Sequence, residues 1–143
     1  MAFWLLKSEA ESWSWDQQKK AGAKGAEWTG VRNFQARNNM RAMKQGDLGF
    51  FYLSGADKAV VGIVKVVRQA HPDSTDETGQ WECVDVAAVA DLPQPVTLAA
   101  VKANPKLKDM VLARVSRLSV QPVSPQEWSM ICKLGGLANP PHG

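Results

Sequence analysis

The segment EWTGVRNFQARNNM, residues 27–40, joins an aromatic residue, a glycine turn and the start of a basic helix. A tryptophan beside a turn usually fills a core or lines a cleft, because its large apolar surface is costly to leave in water. Asn33 suits the N-cap of the helix, since its side-chain oxygen can accept a hydrogen bond from an unpaired amide in the first turn. The segment therefore predicts that Trp28 walls a core or a cleft and that a helix begins after Asn33.

The predicted helix carries a basic stripe. Arg37, Arg41 and Lys44 share one side at about 100° per residue, and no acidic residue lies four positions from them. Gly46 predicts a helix end near Gln45. Two interpretations stay open at this point. The segment forms either an aromatic pocket beside a phosphate-facing helix, or a core tryptophan beside a solvated helix face.

The 143 residues have the composition of one soluble globular domain, with 45% hydrophobic and 22% charged residues. A net charge of +3 permits a nucleic-acid partner without requiring one. Cys83 and Cys132 have neither a CxxC spacing nor a neighbouring histidine, so we expect no zinc site and a reducing compartment, the cytoplasm or a eukaryotic nucleus. The apolar run at residues 3–6 is too short for a membrane span, so no membrane partner is expected.

Hydrophobic patterning predicts strands at residues 3–7, 48–53, 59–67, 81–86 and 115–121. Capping signals at Ser14, Thr97 and Ser124 predict short helices over residues 15–21, 98–103 and 125–132, in addition to the basic helix. Gly62 predicts a bulge or a close approach within a strand. Residues 71–79 have the composition of an acidic loop, and Pro93 and Pro95 are expected to break the chain. Residues 1–137 are thus predicted to form one α+β domain built on a small barrel, and residues 138–143 a loose tail.

Aromatic residues are concentrated in the first third of the chain, at Trp4, Trp13, Trp15, Trp28 and Tyr52. A pocket with aromatic walls suits a flat heterocycle such as a nucleobase, because stacking contributes about 1–3 kcal/mol per base. Neither phosphate-cradling GxxxxGK[ST] nor strand-linked GxGxxG is present, so no cofactor is expected. His71 and His142 fall in the predicted loop and tail, away from positions suited to acid–base work, and no catalytic residue is assigned.

Several ordered segments resemble the EVE domain family over residues 3–134. They are WLLKSE at 4–9, WTGVRNFQARN at 28–38, MKQGD at 43–47, FFYLS at 50–54, VVGI at 60–63 and RLSVQPV at 117–123. The resemblance implies a PUA-like fold, a small curved mixed β-barrel flanked by short helices, related to YTH and ASCH domains. It also implies recognition of modified bases, such as cytosine derivatives in DNA or modified bases in RNA. Ala10 and Leu53 depart from the family, which often has proline and histidine there.

YTH domains read N6-methyladenine with an aromatic cage, and the resemblance to them is positional: Lys7-Ser8, Trp28-Thr29 and Ser54 match residues of that cage region. Residues and resemblance together predict a base-binding pocket and a phosphate-binding set. The pocket comprises Lys7, Ser8, Glu9, Trp28, Thr29, Val31, Asn33, Tyr52 and Ser54. The phosphate-binding set comprises Arg32, Arg37, Arg41, Lys44 and Arg117.

The leading hypothesis is a non-enzymatic reader of a modified base in DNA or RNA, in which Trp28 stacks on the base. One alternative is a small ASCH-like hydrolase of modified nucleosides that uses Lys7 and Glu9 as an acid–base pair, since a lysine and a carboxylate in one pocket can shift each other's pKa. The other alternative is an adaptor whose helices bind a protein partner.

Overall fold

The computed structural model describes residues 2–137 and 140–141. In chain order the elements are β1 (Phe3–Glu9), α1 (Trp15–Lys20), β2 (Ala26–Glu27), α2 (Phe34–Ala42), β3 (Leu48–Ser54), β4 (Ala59–Pro72), β5 (Glu82–Thr97), α3 (Leu98–Ala103), α4 (Val111–Arg114), β6 (Val120–Val123) and α5 (Pro125–Leu134). The strands form one 6-stranded sheet of order β2-β5-β4-β3-β1-β6. No helix within the described residues is long and apolar enough to cross a membrane.

Helices cover both faces of this mixed sheet. β1 pairs parallel with β3 and antiparallel with β6, and the other pairs are antiparallel. Alternate residues of β1 enter opposite cores, Leu5 on the α3–α5 side and Leu6 on the α1–α2 side. The fold class is confirmed as α+β with short flanking helices, and the sheet stays open, with β2 and β6 at its edges.

The predicted capping residues are confirmed. Ser14 and Ser124 each form a capping box, and Asn33 Oδ1 accepts a hydrogen bond from the Ala36 amide at 2.9 Å. Gly62 lies at a register shift between β4 and β5, and a Cβ atom there would stand 2.1 Å from Trp15 Cζ2. The glycine is therefore required by the close approach of an indole ring.

The end of α2 was predicted wrongly. The helix ends at Ala42, and Gly46, with φ of +95°, lies in the turn before β3. The reason is the Asp47 carboxylate, which accepts hydrogen bonds from the Lys44 amide and from Trp4 Nε1, both at 3.0 Å. By holding the Lys44 amide, Asp47 replaces the next helical hydrogen bond and turns the chain into β3.

The prolines of β5 do not break that strand, contrary to the prediction. Asp91 pairs with Gly62 and Val96 with Val60, so residues 92–95 oppose the single residue Val61. Pro93 and Pro95 lie in this bulge, where the sheet requires no hydrogen bond from a backbone N–H group, which proline lacks. β4 is also longer than predicted and runs to Pro72, so His71 belongs to a strand and not to a loop.

The strand predicted at residues 115–121 is largely wrong. α4 precedes this region, residues 116–119 form turns and a bend, and β6 begins only at Val120. The alternating pattern arises because Leu118 and Val120 are both buried in the α1–α2 core, whereas Arg117 is exposed. A turn that buries alternate residues produces the same pattern as a short strand.

The predicted loose tail lies mainly outside the described residues, which omit 138, 139, 142 and 143. Within the described part, the carbonyl of Pro141 accepts a hydrogen bond from Trp128 Nε1 at 2.9 Å.

Candidate functional site

A cavity of about 540 Å³ lies at the carboxyl end of β1. We call it the Trp28 cavity. Its walls come from the end of β1 and the turn after it, from β2 and the segment between β2 and α2, and from Ser119 before β6. The predicted residues that line it are Lys7, Ser8, Glu9, Trp28, Thr29, Val31 and Arg32. The residues at the end of β1 and those that follow β2 therefore lie beside one cavity.

Trp28 is both a core residue and a cavity wall. Its exposed fraction is 6%, its amide donates to the Val84 carbonyl at 2.8 Å, and its ring stands edge-on to Phe51. Among the described residues, no acceptor lies within hydrogen-bonding range of its indole N–H. Trp28 thus packs in the core and is also one of the residues that line the cavity.

The polar groups at the end of β1 are held by backbone carbonyls. Ser8 Oγ donates to the Trp13 carbonyl at 2.6 Å, which fixes the hydroxyl while leaving its oxygen able to accept. Lys7 Nζ donates to the Ser116 carbonyl at 2.8 Å. Burial lowers the pKa of Lys7 below its ordinary value, because the ammonium is partly removed from water.

The wall formed by residues 29–32 is anchored by Asp73. This carboxylate, whose side chain is 0% exposed, accepts from the Gly30 amide at 2.9 Å and from Arg32 Nη1 at 3.2 Å. Burial alone would raise the pKa of Asp73, but hydrogen bonds from Thr75, from the Gly30 amide and from Arg32 together lower it below its ordinary value. Sequence reasoning missed Asp73, although an Asp followed two residues later by Thr is a common turn pattern.

Three residues predicted for the base-binding pocket lie elsewhere. Asn33 serves as the N-cap of α2. Tyr52 and Ser54 line a second cavity of about 280 Å³, which Lys7 also borders. The period of two explains this separation, because Tyr52 points to the sheet face opposite Phe51, the residue packed under Trp28.

The predicted phosphate-binding residues differ in whether their side chains already have hydrogen-bond or ion-pair partners. Arg32, Arg37 and Arg41 face the segment between β4 and β5: Arg37 Nη1 donates to the Gln80 carbonyl at 3.0 Å, and Arg41 forms an ion pair with Glu82. Arg37 also lies 4.8 Å from the centre of the Phe34 ring. Lys44 and Arg117 are exposed, and neither forms an ion pair with any described residue.

Sequence reasoning left several wall residues out of the site, namely Ser12, Trp13, Ala26, Glu27, Gly30 and Ser119. Trp13 was visible as part of the aromatic set, and its Nε1 donates to Gln18 Oε1 at 2.8 Å. Ser119 could not be found, because only the pairing of β1 with β6 brings it beside Lys7.

A polar cluster on β2, β4 and β5 adjoins this wall and shares Glu27 with it. It comprises Glu27, His71, Cys83 and Asp85. Although no histidine neighbours Cys83 in the sequence, His71 pairs with Cys83 across the sheet. Burial, together with the nearby Asp73, Glu27 and Asp85 carboxylates that repel the thiolate, raises the pKa of the Cys83 thiol to about 12.

Comparison with known proteins gives close matches over nearly the whole chain. The EVE domain family model matches residues 2–134. Thymocyte nuclear protein 1 of Gallus gallus is 35% identical in an alignment that covers 92% of this chain and 67% of that protein. The solved structure of a protein from Agrobacterium tumefaciens is 60% identical with a TM-score of 0.96 and covers 99% of this chain and 97% of its own.

Two further solved structures carry nucleic acid. Human THYN1 in complex with DNA containing 5-methylcytosine is 32% identical, with a TM-score of 0.88, and covers 97% of this chain and 100% of that one. The YTH domain of Zygosaccharomyces rouxii MRB1, in complex with N6-methyladenosine RNA, has 15% identity and a TM-score of 0.57 over 97% and 89% of the two chains, which shows a likeness of fold alone. On the match over residues 2–134, this chain belongs to the EVE domain family.

Proposed function

We propose that this protein binds nucleic acid carrying a modified base and that the base enters the Trp28 cavity. The observation that carries the proposal is an open cavity of about 540 Å³ bordered by an indole ring, hydroxyl groups and charged side chains. Its volume lies within the usual range of small-molecule sites, about 300–1,000 Å³. The complex of human THYN1 with 5-methylcytosine DNA supports a modified cytosine as the first ligand to test.

In this proposal each wall has its own task. Trp28 stacks on the base, which contributes about 1–3 kcal/mol. The indole N–H of Trp28, the Ser8 and Thr29 hydroxyls and the Glu9 carboxylate supply donors and acceptors for the edge of the base. Lys7 and Arg32, at the rim, contact the phosphates beside it, and such contacts position the strand without reading its sequence.

The test is a titration of fluorescent oligonucleotides that differ at one central position. That position carries 5-methylcytosine, cytosine, N6-methyladenine or an abasic residue, each in single-stranded and duplex DNA, with the matching RNA strands alongside. A modified base that binds more tightly than its unmodified parent and than the abasic strand supports the proposal. Equal Kd values across the whole series would refute it.

One observation favours a second candidate, a hydrolase of modified nucleosides. Lys7 and Glu9 border the same cavity, and the lowered pKa of Lys7 makes its amine easier to deprotonate for acid–base work. Incubation with N-acylated and alkylated nucleosides, followed by chromatography, separates the two functions. Product that the wild type forms and Lys7→Met does not form would favour the hydrolase. Nucleosides that stay unchanged would favour the non-enzymatic reader of a modified base.

A further inference from the structure

We propose that Glu27, His71 and Cys83 form a binding site for one divalent metal ion such as Zn²⁺, with Asp85 holding the histidine in position. The site shares Glu27 with the wall of the Trp28 cavity, and its test requires no nucleic acid. It rests on the placement of the four side chains, on their distances and on the charge around them.

Strand pairing brings the four residues to one face of the sheet. His71 on β4 is directly opposite Cys83 on β5, and Glu27 on β2 is directly opposite Asp85 on β5. Cys83 and Asp85 are two residues apart and therefore point to the same face, and cross-strand partners share that face. Three adjacent strands thus deliver a thiol, an imidazole and two carboxylates to one place.

The distances are close to those of a metal site. Cys83 Sγ lies 3.7 Å from Glu27 Oε1, and His71 Nδ1 lies 4.0 Å from the same oxygen. All three ligand atoms lie within 4.8 Å of one another. Tetrahedral zinc, with bonds of about 2.3 Å to sulfur and about 2.1 Å to nitrogen or oxygen, separates its ligands by about 3.3–3.6 Å. Small side-chain rotations of Glu27 and His71 close the difference.

The histidine is oriented as a ligand would be. Its Nε2 lies 2.6 Å from Asp85 Oδ1, which leaves Nδ1 on the side of Glu27 and Cys83. A ligating histidine almost always donates its second ring N–H to a carboxylate or a carbonyl, which fixes the ring and increases its basicity. Nδ1 is also 3.0 Å from the Pro72 carbonyl, and a metal ion bound at Nδ1 would replace this contact.

The charge around the site favours a cation. Glu27, Asp73 and Asp85 all lie near the thiol, and within the described chain His71 is the sole basic side chain in ion-pairing range of Glu27 and Asp85. Cys83 is fully buried, and Asp73 is already bound to Arg32. A divalent ion would neutralise Glu27 together with the Cys83 thiolate, and its binding would release the thiol proton. The ion would also tie β2, and the Trp28 that follows it, to β4 and β5.

The experiment uses metal-free full-length protein titrated with Co²⁺, and with Zn²⁺ in competition with a chromophoric chelator. We expect one ion per chain and a sulfur-to-cobalt charge-transfer band in the near ultraviolet, displaced by Zn²⁺. Cys83→Ser and His71→Gln should each lose the band or the stoichiometric binding. Asp85→Asn should keep the band and bind about 10- to 100-fold more weakly.

Cys132→Ser is the matched control, because Cys132 is equally buried but lies in the opposite core. It should bind like the wild type. Since the chain has two cysteines, a band that survives in Cys132→Ser must come from Cys83 even if Cys83→Ser fails to fold. A wild type without stoichiometric binding, a band lost in Cys132→Ser, or affinity unchanged in Cys83→Ser and His71→Gln would each overturn the proposal. In those cases the cluster is a histidine placed between two carboxylates, with no metal function.

Discussion

The ring of Trp28 stands perpendicular to that of Phe51, with ring centres 5.6 Å apart and an interplanar angle of 89°. Phe51 is fully buried in β3, so its position is fixed by the sheet. An edge-on contact of this kind contributes about 0.5–1.5 kcal/mol beyond burial. The contact therefore sets the plane of the indole before any ligand arrives, and a preorganised ring loses less freedom on binding.

Replacing Phe51 with leucine should disturb the cavity through Trp28. We expect Phe51→Leu to lower the free energy of unfolding by about 1–3 kcal/mol and to weaken oligonucleotide binding several-fold. The control is Phe50→Leu on the opposite face of β3, where Phe50 stacks on Trp128 with ring centres 4.0 Å apart. It should lose similar stability and keep its affinity. Equal affinities of the two variants would show that the Trp28–Phe51 contact does not matter for binding.

Gly62→Ala tests the packing of Trp15. The new Cβ would lie 2.1 Å from Trp15 Cζ2, so the indole must move, and overpacking of this kind costs about 1–3 kcal/mol. Chemical denaturation measures the loss. Trp15→Phe should cost less in the Gly62→Ala background than alone, since the two changes share one contact. Additive losses, or a stable Gly62→Ala, would mean that the indole does not constrain this position.

Arg117→Ala and Arg41→Ala should differ in their effect on salt dependence. Arg117 is exposed and has no ion-pair partner in the described structure, so its loss should reduce the slope of log K against log salt by about one. Arg41→Ala should have a smaller effect, because Glu82 already neutralises this guanidinium. Titrations at several salt concentrations measure both slopes. The reverse order would contradict the distinction between paired and free arginines.

Asp73 should make the cavity wall sensitive to acid. Its pKa is lower in the folded chain than the ordinary 3.8, so its contribution to stability is complete above that value and is lost as the pH falls through the lowered pKa. Asp73→Asn should cost about 1–3 kcal/mol at neutral pH and should show a flatter loss of stability in acid. Thermal melts from neutral pH down through the lowered pKa of Asp73 measure this loss of stability. Asp57→Asn, in the exposed turn before β4, is the control and should follow the wild type.

The sequence predicted best what is decided locally. The caps at Ser14, Asn33 and Ser124 depend on neighbours within a few residues. The close approach at Gly62 could be predicted from the residue type alone, because a glycine inside a strand often leaves space for another group. The grouping of Lys7-Ser8-Glu9 with Trp28-Thr29 in one pocket was what the family resemblance implied, and the structure places these residues around one cavity.

The register between strands that are distant in the chain could not be predicted from the sequence. The pairing of His71 with Cys83, the ion pair of Arg41 with Glu82 and the approach of Ser119 to Lys7 all depend on how strands align across the sheet. Tyr52 was assigned to the pocket as one of the aromatic residues in the first third of the chain, but its side chain points to the opposite face of the sheet. The early end of α2 required the Asp47 carboxylate to reach back to the Lys44 amide.

The central claim is that the base lies against the indole of Trp28, and one ratio tests it most directly. This is the Kd for an abasic strand divided by the Kd for the same strand with 5-methylcytosine, measured for the wild type and for Trp28→Leu. Stacking predicts a ratio of about 5 to 150 for the wild type and a ratio near one for the variant, while affinity for the abasic strand persists. A folded Trp28→Leu that keeps the wild-type ratio would contradict the account.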